Sequence, residues 1–552
     1  MSSKEPFIGQ KKRVLIVGAG AAGMSCADQL SKSPEKFDVT IIDAQDYCGG
    51  QAFSIGIDKE KFGAEWLNQG VQGGSYIFRH TFRMFEQQGF KADPVKLQVS
   101  FGKGDRFWTN VFPTKMVQKH ASEIKRFTLL LKFIRWFEVF FVFMPIKVLM
   151  KLFMFSTEFT EYMILPTIAL FLGTGNATPE VSSVILERLF TSPTYGMWYP
   201  ADEDSLASNH PPMCVFPKFS DFYETWRQSL VKAGVNVRLS TELTRVIKRT
   251  SSGVKVGTKP RKPQPDHHNP VGGDPDAPET IEDYDEIVLC VLADTAKRLL
   301  GKNATTKEKF VLGSTKWSDD VTVTHWDDTY MQNHYTNTYD PDQAIRTLNG
   351  KDQSLRNERG GSFAPMYYIK PYPEDPSKLE MCFDCTNYQS QFPRVSNPAD
   401  PPSGLEVSRL PLNRHVFQTI FLNKDRDSPL WTMDQINKDK IIRIDWWHQL
   451  CHSWTHYLFV VPWMWALNGR HHTRYAAAWT LVNAHELAVI SGLAAAWSLG
   501  GGYPEEMWHD GKEAGRVEPG VEERKGRWEG FAVLCFRLYC LLAYGRWYSK
   551  GS

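Results

Sequence analysis

Residues 13–23 read RVLIVGAGAAG and residues 38–43 read DVTIID. Val14 to Val17 is a short, β-branched run of the kind that forms a strand covered on both faces. Gly18, Gly20 and Gly23 follow in the pattern G-x-G-x-x-G, with Ala22 inside the same turn, and Met24 to Leu30 continues with helical spacing. The first glycine permits a tight turn, the second lets the backbone approach a pyrophosphate, and the third lets helix and strand pack closely. A helix starting there directs N–H groups and the positive end of its dipole at phosphate. Asp43, 20 residues beyond Gly23, ends the second apolar strand. A carboxylate at that place accepts hydrogen bonds from an adenosine ribose and repels a 2′-phosphate. The stretch predicts a βαβ unit that binds a dinucleotide.

The rest of the chain is long for one domain. At roughly 150 residues per domain, 552 residues predict two to four domains or one elaborated two-domain enzyme. Hydrophobic residues make up 42% and charged residues 23%, a globular balance, and the net charge of +2 provides no basic excess for nucleic acid. Aromatic residues reach 13%, with 34 Phe and 18 Trp, which predicts a deep apolar pocket or a lipid-facing patch. Nine cysteines, odd in number and unevenly spaced, do not form a secreted disulfide framework. Met1 to Gln10 has no apolar segment, so the expectation is a cytoplasmic, reducing location and no secretion.

Residues 59–92 read as helical. Phe127 to Phe155 is the most hydrophobic stretch, but Lys132, Arg135, Glu138, Lys147 and Lys151 interrupt it and Pro145 breaks it. It therefore predicts helices lining an apolar cavity, or a face lying on a membrane surface, rather than a bilayer span. Val235 to Arg249 alternates like strands, residues 259–282 read as a disordered, solvated insertion, and Ile287 to Val291 resumes as a buried strand. A Pro/Asp/Ser tract at 396–404 is a second loop. Tyr475 to Gly500 reads as a strand feeding an Ala-rich helix, and Gly530 to Tyr548 as a surface-lying helix.

After Asp43 the chain continues to Gly49-Gly50-Gln51. With the glycine motif and the acid, this double glycine resembles the amine oxidase and phytoene desaturase superfamily of flavoproteins. The resemblance implies FAD, with Gly49, Gly50 and Gln51 passing close to its ribityl and pyrophosphate. It also implies that Val237, in the strand after Gly234, meets the adenine through its backbone. Tyr475 to Ala496 resembles the family's returning strand and last flavin-binding helix, which implies that Trp479, Val482 and Asn483 face the isoalloxazine. His485-Glu486 and Ser491-Gly492 resemble the branch known as predicted NAD/FAD-binding proteins. Ala476 to Ala478 departs from the family by supplying no carboxylate for the ribityl. No cysteine lies between 452 and 534, so the FAD is expected to be held non-covalently.

The implied fold class is α/β: a discontinuous Rossmann-type FAD-binding domain with a mixed α+β substrate domain. The FAD-binding parts are placed at 1–100, 231–300 and 461–505, an apolar helical region at 101–230, the substrate sheet at 301–460 and an apolar tail at 506–552. The resemblance implies dehydrogenation (desaturation) of a lipophilic small molecule by hydride transfer to flavin N5, in the manner of specialised metabolism. The alternatives are a flavin-dependent double-bond isomerase acting on a fatty acyl chain, and a non-catalytic FAD-containing protein. Tyr475, Trp479 and His485 are the candidate catalytic side chains. Peripheral membrane contact is a further expectation. Other clusters yield no metal. His448, His452 and His456 recur every four residues, which would stack them on one helix face, but no carboxylate or cysteine completes a set. Cys382 and Cys385 form one CxxC without a second, and His267-His268 and His471-His472 are adjacent pairs that diverge.

Overall fold

The computed structural model describes residues 11–172, 175–191, 197–198, 206–207, 212–261, 276–396, 406–408, 410–504 and 522–549. The chain opens with β1 (Lys12–Val17), α1 (Ala21–Ser31) and β2 (Phe37–Ile42). β1 and β2 pair in parallel, from Lys12 against Phe37 to Val17 against Ile42. Val14, Leu15 and Ile16 are fully buried, as a strand covered on both faces requires.

A hairpin of β3 (Ala52–Gly56) and β4 (Trp66–Gly70) comes next, then α2 (Arg79–Gln87). The helical reading of 59–92 therefore holds only for Lys59–Phe62 and α2. Gly63, left-handed at φ +78°, ends the first short helix. The buried Asn68 and Gln69 disguise β4 in sequence, because polar residues do not mark a covered strand. Both are hydrogen-bonded: Asn68 to the carbonyls of Phe216 and Pro217, Gln69 to Thr324 and Asp445.

Beyond β5 (Val99–Phe101) and β6 (Trp108–Thr109), the apolar segment folds into α3 (Ala121–Trp136) and, after Pro145, α4 (Ile146–Leu152). No helix among the described residues is long and apolar enough to cross a membrane. After α5 (Phe219–Lys232) come β7 (Asn236–Arg238), the antiparallel meander β8 (Thr241–Thr250), β9 (Gly253–Pro260) and β10 (Thr280–Tyr284), then β11 (Glu286–Leu289) and α6 (Ala293–Leu300). The two ends of the insertion read over 259–282 are thus paired strand, Thr258 lying opposite Thr280. Residues 262–275, with His267 and His268, lie outside the described residues, as does most of the 396–404 tract.

The remaining strands are β12 (Trp317–His325), β13 (Tyr367–Pro371), β14 (Leu379–Asp384), β15 (Phe417–Phe421), β16 (Ile441–Leu450) and β17 (Thr473–Tyr475), followed by α7 (His485–Leu499) and α8 (Glu522–Tyr544). Two sheets organise the molecule. One is parallel, in the order β7-β2-β1-β11-β17, so strands more than 430 residues apart in sequence lie in one layer. The other has seven strands in the order β16-β12-β15-β14-β13-β5-β6, and β5 and β6 bring residues from before 110 into the sheet that residues 317–450 otherwise build. On α8, Phe536, Tyr539 and Cys540 are buried while Leu534, Leu538 and Leu541 are exposed, so the helix lies along the surface on one face.

Candidate functional site

The glycine loop joins β1 to α1 at the carboxyl edge of the parallel sheet. Gly18 has φ +107°, and a Cβ there would stand 2.5 Å from the carbonyl oxygen of Cys290. At Gly23 a Cβ would stand 1.8 Å from the carbonyl oxygen of Gly18, so only glycine lets α1 pass this close to its own loop. Gly20 is different: a Cβ there would meet nothing nearer than 3.9 Å. Its bare face is the open one. Ala22 is buried where α7 crosses α1, and a Cβ on Gly492 would come within 2.1 Å of the Ala22 carbonyl oxygen.

Gly49 and Gly50 lie against this loop. The Gly49 N–H donates to the Ala19 carbonyl at 2.9 Å, and Gly20 and Gly49 form a parallel bridge. Both glycines have positive φ, +122° and +61°. Asp43 closes the arrangement: its carboxylate accepts the Ala19 N–H at 2.6 Å and the Gln45 N–H at 2.8 Å. Burial pushes its carboxyl above the usual carboxylate range, opposed by these two donors and by Arg261. A carboxylate has about four acceptor positions, so two remain for a ligand hydroxyl. Val237 pairs with Ile41 on the edge strand β7, whose outer side pairs with no strand among the described residues. Gln51 is exposed, with its amide nitrogen 3.5 Å from the His448 carbonyl oxygen.

The returning segment reaches the same region. α1 and α7 pack side by side and run the same way, Ala22 against Gly492 and Gln29 hydrogen-bonded to the Gly501 carbonyl. Neither helix start, Gly20 or Ala484, supplies a side-chain cap. Two uncapped amino ends therefore present partial positive charge on one side of the sheet. Val482 packs against the apolar helical core and Trp479 is buried, its indole N–H donating to the Val291 carbonyl at 2.9 Å. The backbone N–H of Asn483 donates to His452 Nε2 at 2.9 Å. That N–H is consequently engaged by protein, which qualifies the expectation that it faces the isoalloxazine.

His485 is fully enclosed: Nε2 lies 2.7 Å from the Tyr223 hydroxyl and Nδ1 lies 3.0 Å from Thr81 Oγ1. Burial lowers its pKa to about 4, so the ring is neutral. The Tyr223 ring runs directly beneath the double glycine, 2.8 Å from where a Gly49 Cβ would be. The Glu486 carboxylate accepts the backbone N–H groups of His80 and Thr81 and stands 2.6 Å from His80 Nδ1, which is 2.8 Å on its other side from the Tyr503 hydroxyl. Tyr475, by contrast, spends its hydroxyl on Glu308 at 2.7 Å, beside the Arg249–Glu308 ion pair, and serves the packing under the sheet.

The histidine triplet does not share a helix. His448 is in β16, His452 lies beyond the end of that strand, and His456 is in the helical turn Trp454–Phe459. β16 pairs with β12 from Trp317 to Leu450, and this ladder overrides the four-residue spacing. His448 instead bridges the two domains, with Nδ1 2.5 Å from Asp319 and Nε2 3.1 Å from Asp294. Cys382 ends up in β14 and Cys385 in the turn after it, both as buried free thiols. Among the described residues, no group of three or more His, Cys, Asp or Glu is placed to hold a metal ion. Tyr223, Thr81 and His452 reach this region from distant elements, an arrangement that spacing alone does not reveal.

A cavity of about 1010 Å³ lies between α4, residues 155–180 and the segment around Cys451. Met150, Phe155 and Leu165 form apolar parts of its wall, and Lys147, Lys151 and Arg426 polar parts. Cys451 and Ser453 line it too, on either side of the residue that holds Asn483.

The residues present fit an adenine dinucleotide with a flavin. The bare Gly20 face, the Asp43 carboxylate and the two uncapped helix starts form the cradle, and buried His452 Nδ1 has no hydrogen-bond partner among the described residues.

Comparisons with known proteins agree with this geometry. A family model described as an NAD(P)-binding Rossmann-like domain matches residues 16–87. Cyclohexylamine oxidase from Brevibacterium oxydans is 11% identical, with a TM-score of 0.54 over 91% of this chain and 100% of that one. Putrescine oxidase bound to putrescine is 12% identical, with a TM-score of 0.53 over 89% and 99%. A CLA-producing fatty acid isomerase from P. acnes is 14% identical, with a TM-score of 0.52 over 87% and 97%. No curated protein matches the chain by sequence. At these identities the likeness is one of fold, and it extends over both domains.

Proposed function

We propose that this chain, which has the fold of the amine oxidase and phytoene desaturase superfamily, is a FAD-dependent oxidoreductase that dehydrogenates a lipophilic small molecule. One observation carries the reading: Gly18 to Gly23, Gly49-Gly50, Asp43 and the start of α7 converge on one cradle whose open face is the bare Gly20. Bound there, FAD would supply a hydride acceptor at N5, with oxygen, a quinone or another electron carrier as the final acceptor.

The chain's own groups hold and orient. The Asp43 carboxylate would hold the ribose, the glycine N–H groups and the α1 start would hold the pyrophosphate, and β7 would offer its open edge to the adenine. Trp479, Val482 and Asn483 shape the wall next to the substrate domain. The lipophilic substrate is supported by the 13% aromatic content and by Met150, Phe155 and Leu165 in the wall of the cavity that Cys451 and Ser453 also line, a wall whose remaining side chains are mostly polar. The cofactor is held without a covalent bond, since no cysteine occurs between 452 and 534.

The test is reconstitution. Purified protein should take up one FAD, release it intact on acid precipitation, and lose flavin absorbance when a dehydrogenable lipophilic substrate is added without air. No FAD uptake would end the proposal, and FAD that no lipid, terpenoid, polyketide or amine reduces would mark a non-catalytic flavoprotein. A second reading, double-bond isomerisation, draws on the fatty acid isomerase of the same fold. Sustained anaerobic turnover with no acceptor would favour it; stalling after one equivalent favours the dehydrogenase.

A further inference from the structure

Helix α3 is apolar on two opposite faces. Ile124, Phe127, Leu130, Leu131 and Ile134 are buried against the helical core. Leu129, Phe133 and Trp136 follow at spacings of four and three on the outer side, and Trp136 is 78% exposed. The outer stripe continues through Val139 and Phe140, 77% and 73% exposed, and α4 adds Val148 and Leu152. This is a contiguous apolar stretch in sequence, presented outward, where most surface helices are polar.

Its charges are one-signed. From Lys125 to Met154 the exposed charged residues are Lys125, Arg126, Lys132, Arg135, Lys147 and Lys151. The single acid of that stretch, Glu138, is half-buried and paired with Arg188. Lys147 is paired with Glu180, and a two-fold dimer on this face would still set the other cations against their own copies, which disfavours a second copy as the occupant. Anionic headgroups complement them, and Trp and Phe among Lys and Arg are what a helix lying in a lipid interface requires.

We infer that α3, the turn after it and α4 form a docking face for an anionic phospholipid bilayer, bound from one side without crossing it. α4 has two roles in this arrangement. Val148 and Leu152 are exposed, while Lys147, Met150 and Lys151 line the cavity that Cys451 and Ser453 also line. Docking therefore sets the cavity wall against the lipid surface. The docking face stands apart from the flavin reading and does not depend on it.

The experiment is co-sedimentation of the full-length chain with vesicles of phosphatidylcholine, with and without phosphatidylserine, with light scattering of the free protein alongside. Binding should be strong with phosphatidylserine, weak without it, and reversed by salt. Trp136→Asp combined with Phe140→Asp, and separately Lys132→Glu combined with Lys151→Glu, should each weaken it by about tenfold or more. Leu355→Asp, at a residue 72% exposed elsewhere on the surface, should leave it unchanged. An unaltered melting temperature in each variant separates lost docking from lost folding. No binding to anionic vesicles, binding indifferent to the α3 substitutions, or a solution dimer that Trp136→Asp dissociates would overturn the inference.

Discussion

His452 Nε2 accepts the backbone N–H of Asn483 at 2.9 Å, tying the segment just beyond β16 to the one that leads into α7. Burial lowers the His452 pKa to about 3, with His456 adding to the effect, so the ring is neutral and its proton is on Nδ1. One buried ring thereby fixes the backbone that borders the cofactor cradle.

His452→Phe keeps an aromatic ring and removes the acceptor. Leaving a buried N–H without a partner costs about 1–3 kcal/mol, part of it expressed as looser packing of residues 481–484. FAD affinity, followed by fluorescence titration, should fall by about tenfold, while far-ultraviolet circular dichroism stays unchanged. Undiminished affinity would mean that the 481–484 segment does not border the cofactor.

The two inner glycines of the motif make a sharper contrast. A Cβ at Gly23 would overlap the Gly18 carbonyl, whereas one at Gly20 meets nothing within 3.9 Å. Gly23→Ala should lower stability by at least about 2 kcal/mol through overpacking and yield little soluble protein. Gly20→Ala should fold with a melting temperature close to that of the parent apoprotein and fail to retain FAD. Chemical denaturation of the two apoproteins, set beside their flavin content, checks both halves.

How far these features could be read in advance depends on the range of the interaction that makes them. Gly18, Gly20, Gly23 and Asp43 lie in one local unit whose spacing follows from backbone geometry, so strand, turn and helix are legible before any tertiary contact is known. The double glycine and the α7 start came through family resemblance. Tyr223 gives no signal in sequence, and His452 shows there only as one of three histidines at four-residue spacing, because a ring beneath Gly49 and an acceptor for Asn483 are created by packing between segments far apart in the chain. β4 is hidden for a related reason: the side-chain amides of Asn68 and Gln69 donate to Phe216, Pro217, Thr324 and Asp445, none of them near in sequence. In α3 hydrophobicity alone could not say which apolar face was outward, since both are apolar.

Four buried histidines make stability depend on acid. Burial lowers His325 and His452 to about 3 and His456 and His485 to about 4. Below the ordinary value of 6.5 the unfolded chain takes up these protons and the folded chain does not, so stability is complete above pH 6.5 and falls as the pH drops toward 4. Each site contributes about 1.4 kcal/mol per pH unit in that window. Urea unfolding at pH 7 and pH 5 should show a loss of several kcal/mol, and a flat profile would contradict neutral burial.

His448 acts in the opposite sense. Held between Asp294 and Asp319, its pKa rises to about 9, with the hydrogen bond to Asp294 the largest cause. Its bridging contribution is complete below pH 6.5 and lost as pH rises through 9. Because the ring is partly exposed, solvent screening limits the effect to about 1 kcal/mol or less. The melting temperature should fall slightly between pH 7 and pH 9.5 in the parent chain and show no such step in His448→Gln.

Tyr475 separates packing from chemistry. Its hydroxyl donates to Glu308, whose carboxylate is held at about pKa 2, despite burial, by Arg249, Tyr475 and the Thr305 N–H. This network joins β17 to β8 and to the helix that follows α6, beneath the parallel sheet, and Tyr475 has no exposed surface. Tyr475→Phe therefore removes one buried donor to a carboxylate that keeps its arginine, a loss of about 1–2 kcal/mol. Once a reducing substrate is known, the rate of anaerobic flavin reduction should be the same in this variant as in the parent at a temperature where both are folded. A drop of a hundredfold with unchanged stability would move Tyr475 from the framework into the reaction, and the packing assignment would have to be withdrawn.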